Sequence, residues 1–239
     1  MDQESVSATE VAQEKDSGLS TRGIWEVFLK PTAFFEKLRT QPKVLVPYLA
    51  LAVVWVVTLF LMQDLIWDFQ KNSPQFQEQL QGQALSPQIE QFSKISILVG
   101  GTIAMLLVPL IVAAMALFFG NFVFAGRAKF KTLLSVCLYG EILYAIGSLI
   151  IAPLMLAKGS ILVSLSAAVL AVDLGPQSAI YVALSKISVF HIWEIIVVGI
   201  GLAIAYQFPR NKGYLLSVLS IGSLLLLHVI LVATGMAAG

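Results

Sequence analysis

Residues 189–198 read VFHIWEIIVV. His191 and Glu194 stand three positions apart, so on a helix they project from one face. Two further titratable residues lie in equally apolar surroundings, Glu141 in YGEIL and His228 in LLLHV. A charged group at bilayer depth costs at least about 2.5–3.5 kcal/mol, so such residues turn inward and find partners. These types admit four chemistries. The first is a structural hydrogen-bond or ion-pair cluster. The second is a divalent-metal site, for Zn as an example, with carboxylates and imidazoles as ligands. Proton coupling for transport is the third. Hydrolysis is the fourth, and it lacks a nucleophile beside the carboxylates. Glu-x-x-His pairs serve di-metal helical bundles, whereas the order here is His-x-x-Glu.

The elements that must position these four residues follow from the composition. The 239 residues are 58% hydrophobic and only 12% charged, with a mean hydropathy of +0.86. A soluble domain carries roughly 25% charged residues, so the excess of apolar runs identifies an integral membrane protein. The net charge of +1 gives no reason to expect nucleic acid as a partner. The one cysteine, Cys137, excludes an internal disulfide and reads as a buried, inert thiol. No Walker sequence, nucleophile elbow, paired-Cys motif or Gly-rich phosphate loop occurs, and no enzymatic activity is expected.

Crossing a bilayer takes about 20 apolar residues. Runs at about 44–63, 96–124, 132–157, 187–207 and 214–235 meet that length. Residues 161–172, ILVSLSAAVLAV, are too short to span and read as re-entrant or interfacial. With the amino terminus inside, five spans place 11 of the 15 basic residues on the cytoplasmic side, leaving Lys71, Lys94, Lys158 and Lys186 outside. A sixth span would move Arg210 and Lys212 outward, so the positive-inside bias selects five, with the carboxyl terminus external. The fold class is an all-α integral membrane protein, a bundle of five transmembrane helices in the cell's inner (cytoplasmic) membrane.

Counting along these spans, Glu194 and His228 each lie about three residues outward of their midpoints and are expected to meet. Glu141 lies about three residues inward of its own midpoint, about 9 Å lower. A kink or a shift of one turn would be needed to bring it to Glu194.

Residues 1–20 carry five acidic residues against Lys15 alone, opposite to a signal peptide, and are expected to form a disordered cytoplasmic tail. Residues 21–43 form an amphipathic segment. In it Trp25, Phe34 and Phe35 are expected in the acyl boundary, with Lys37 and Arg39 at anionic headgroups or a protein partner. The Gln-rich connection 64–95 holds Ser73-Pro74 and Ser86-Pro87, each a cap followed by proline at the first helical position. Short external helices are expected there, the second running into the second span.

Three segments together resemble a known family. They are LKPTAFFEKLRTQPKVLVPYLAL at the first span, AGRAKFKTLLSVCLYGEI opening the third, and FHIWEIIVVGIGLAIA in the fourth. In this order, over about residues 25–235, they resemble the Yip (Ypt-interacting protein) family in a bacterial-type form. The resemblance implies five spans, an inward amino terminus and a non-enzymatic membrane-organising or partner-recruiting role. Eukaryotic relatives bind small prenylated GTPases. The competing reading is a small transporter or ion-binding protein built on Glu141, His191, Glu194 and His228. Protein partners and a second copy of the chain are both left open.

Overall fold

The computed structural model describes residues 26–80, 84–176 and 178–234. The expected tail at 1–20 and Trp25 lie outside the described residues. Helix α1 runs Pro31–Thr40, opening on a proline whose fixed φ suits the first turn. Among the described residues, five helices are long and apolar enough to cross a membrane. They are α2 (Leu45–Lys71), α4 (Pro87–Phe118, continued by a π-helical turn at Phe119–Val123), α5 (Phe130–Lys158), α7 (Val189–Tyr206) and α8 (Arg210–Ala233). Short helices α3 (Pro74–Leu80) and α6 (Ala179–Ser185) lie in the connections.

The expected spans are thus present, and two outrun their apolar windows. Helix α2 continues two turns past residue 63, and α4 starts at Pro87, where Ser86 accepts a hydrogen bond from the Ile89 amide. Backbone i→i−4 bonding is indifferent to side-chain polarity, so a helix stops where caps and prolines stop it. The extra turns are joined by Lys94, 2.8 Å from Asp64 of α2 and 2.7 Å from Glu90.

Residues 161–172 do not form a span. The chain leaves α5 through Gly159, whose positive φ of 61° caps the helix. It then forms a 3-10 helix at Ala167–Leu174. The Ala167 amide bonds the Ile187 carbonyl, and the Val189 amide reaches Leu165, so the segment is tied to the start of α7. This connection therefore begins and ends at the same face of the bundle.

Helix α5 is the centre. Every residue from Thr132 to Leu143 is buried, because α5 packs against α1, α2, α4 and α7. A helix covered on all sides has no lipid-facing stripe to keep apolar. Helix α7 lies between α5 and α8, and α1 crosses the ends of α7 and α5. Gly199 backs onto Tyr214 and Gly201 onto Val136 and Phe35, whereas Gly100 faces open space. The α7–α8 turn ends α7 with Gln207 at φ 58°, its amide on Ile204 and the Phe208 amide on Ala203. These are the two hydrogen bonds of a Schellman closure, here without glycine.

Candidate functional site

Helices α5 and α7 run antiparallel, and their register is read from side chains that meet. Val136 meets Gly201, Gly140 meets Val198, and Gly147 meets Phe190. A side chain added at Gly140 would collide with Val198, so this glycine allows the two backbones to close at that level. One position further, the carboxyl groups of Glu141 and Glu194 are in hydrogen-bonding contact. Both residues are buried, 3% and 4% exposed.

One turn away along the same seam, the Tyr144 and His191 rings lie 4.2 Å apart between centroids, tilted by 37°. The Oγ of Ser188 is 3.0 Å from His191 Nδ1 and accepts from the His191 amide at 3.1 Å, capping α7. Trp55 of α2 closes the other side of Tyr144 at 6.1 Å. Its buried indole N–H has no hydrogen-bond partner among the described residues.

Two expectations are corrected here. The partner found for Glu194 is Glu141 rather than His228, and the 9 Å offset is closed. The spans share a level at their basic ends, not at their midpoints. Glu141 is 11 residues from Phe130, where α5 starts, and Glu194 is 12 residues from Tyr206, where α7 stops. At about 1.5 Å per residue these are nearly equal heights, and the extra length of α5 all projects at the far end. His228 is half-buried on α8. Among the described residues no group of three His, Cys, Asp or Glu side chains is placed to hold a metal ion.

Tyr144 was missed by sequence reasoning, although a signal for it exists. EILY at 141–144 and HIWE at 191–194 carry their polar residues at the same i, i+3 spacing. Opposed antiparallel, they place Glu against Glu and Tyr against His.

The second group of expected site residues lies at the basic end of the bundle. Phe34 and Phe35, expected in the acyl boundary, are buried in the protein instead, at 9% and 1% exposure. Phe34 meets Tyr139 of α5 edge-on at 4.7 Å, and Phe35 packs beside Gly201 of α7. The rings dock α1 onto the bundle because the glycine on α7 leaves a slot that fits an aromatic edge. Lys37 and Arg39 are exposed. Arg210 Nη2 at the start of α8 donates to Thr32 Oγ1 at 2.8 Å and ties down the other side of α1.

A bundle of five apolar helices around a buried polar seam, with a helix docked across one end, defines a polytopic α-helical membrane protein. The Yip1 domain family model matches residues 25–233, nearly the whole chain. The chain belongs to the Yip1 family. Comparison with curated proteins, and with solved structures, finds no match.

Proposed function

We propose that this chain is a non-enzymatic membrane-organising protein of the inner membrane. Its basic end faces the cytoplasm and gathers anionic lipid, and the partners that follow it, against the docked helix α1. The observation that carries this reading is the charge at that end. Nine basic residues, at 30–43, 127–131 and 210–212, face only Glu26 and Glu36 among the described residues. None of the nine is ion-paired there, while the ion pairs of the described residues involve Lys71 and Lys94 at the far end. Each cation near an anionic surface contributes about 1 kcal/mol of attraction. The positive-inside bias supports the orientation. The test reconstitutes the chain in vesicles of phosphatidylcholine and labelled phosphatidylglycerol, and reads energy transfer from the protein to the label. Enrichment should fall when Lys37, Arg127, Lys129 and Lys131 are changed to glutamine. Enrichment that is unchanged removes the reading.

A second reading is favoured by the Glu141–Glu194 contact, which supports an ion- or proton-coupled transporter. Glu194→Gln keeps a hydrogen bond to Glu141 but removes one titratable site. Under this reading, proton-dependent flux in liposomes disappears while the chain stays folded. Flux equal to that of the unchanged chain removes it.

A further inference from the structure

Where α1, α7 and the start of α8 meet, the surface opens into a groove of about 580 Å³. Its floor is apolar, made by Ala203, Ile204 and Phe208, and its rim carries Arg39 and Arg210. The groove lies at the turn between two spans, where the apolar run of α7 ends at Tyr206 and the first charged residue of α8 appears. An integral protein therefore holds it at the boundary between acyl chains and water.

Arg39 and Arg210 both line this groove and both are exposed. Neither Arg39 nor Arg210 has a carboxylate within ion-pair distance among the described residues. Arg210 spends one N–H on Thr32 Oγ1, which leaves its other donors available and fixes the direction of the fork. The lining also includes Glu36. One carboxylate against two guanidiniums leaves room for one negative charge, which suits a phosphodiester and disfavours a multiply charged phosphate.

We infer that this groove is a phospholipid headgroup site. Arg39 and Arg210 clamp a single phosphodiester, and the glycerol end of the lipid rests on Ala203, Ile204 and Phe208. Arginine forks match phosphate oxygens geometrically, and the apolar floor matches the part of a lipid that a free phosphate lacks. The inference rests on the basic end lying at the membrane surface, as proposed above. It adds one defined site to a diffuse attraction.

The test uses the full chain in mild detergent, titrated with short-chain phosphatidylglycerol and followed by calorimetry. Binding should weaken about tenfold or more in R39Q/R210Q, which loses charge-assisted hydrogen bonds. K158Q removes a cation at the far end of α5, away from the groove and from the basic end, and should bind as the unchanged chain does. Inorganic phosphate and short-chain diacylglycerol at matching concentration should not displace the lipid. Undiminished binding in R39Q/R210Q overturns the site. Displacement by inorganic phosphate makes it a simple anion site, and displacement by diacylglycerol a purely apolar one; either overturns the lipid assignment. Failure here leaves the vesicle experiment on Lys37, Arg127, Lys129 and Lys131 standing, so the two proposals fall separately.

Discussion

Glu141 of α5 and Glu194 of α7 meet carboxyl to carboxyl inside the bundle, both buried. The two carboxyls face one another across the seam between α5 and α7. Removing one side strands a buried polar group, at about 1–3 kcal/mol. Replacing both by apolar groups of similar shape avoids that cost. Glu141→Met and Glu194→Met should each lower thermal stability in detergent, and the double variant should lose clearly less than the two losses added. Strict additivity would show that the carboxyls do not interact.

The seam depends on Gly140 as much as on the acids. A methyl group there overlaps Val198, and overpacking of this kind costs about 1–3 kcal/mol. Gly140→Ala should destabilise the chain, and adding Val198→Ala should restore part of the loss. No restoration would place the cost elsewhere than at this contact.

Docking of α1 by its aromatic pair has a direct consequence. Phe35 is 1% exposed and sits in a slot beside Gly201 and Val136. Phe35→Ala should cost about 3–5 kcal/mol, as for other buried aromatics, and should expose α1 to proteolysis. A phenylalanine lying in lipid would give no such protection. Unchanged proteolysis would return Phe35 to the acyl boundary.

Lys186, in the connection between α6 and α7, is mostly buried, and that burial holds its ammonium below the usual lysine range. The unfolded chain therefore binds this proton more tightly than the folded one. Its charge weighs against folding at neutral pH, and the penalty is relieved as pH rises through the lowered folded value toward about 10.5. Stability should rise over that window and then level off. Lys186→Met should be more stable at neutral pH and lack this rise, as followed by thermal unfolding across pH. A variant with the same pH dependence as the unchanged chain would rule Lys186 out as the cause.

Much of this was legible in the chain. The five spans could be counted because about 20 apolar residues are a local, one-dimensional signal, and the basic residues decided between five and six. Ser86-Pro87 announced the start of α4 through local capping chemistry. His191 and Glu194 were recognisable as sharing a face. Their partners were not, since a partner depends on the register between helices. Midpoints were the wrong reference, because α5 has 29 residues and α7 has 18.

The same distinction separates the two groups of site residues. Amphipathic spacing marked Phe34, Phe35, Lys37 and Arg39 as two faces of one helix, and could not say what the apolar face would cover. A lipid surface and a slot beside Gly201 present the same hydrophobicity to a phenylalanine; only the shape of the folded bundle distinguishes them. By itself the sequence determined composition, span count, caps and the sharing of faces, all properties of contiguous residues. The tertiary structure alone decided that Glu141 meets Glu194, that Tyr144 meets His191, and that Arg39 and Arg210 line one groove. Each of those contacts joins residues dozens of positions apart, and only the packing of helix against helix sets such distances.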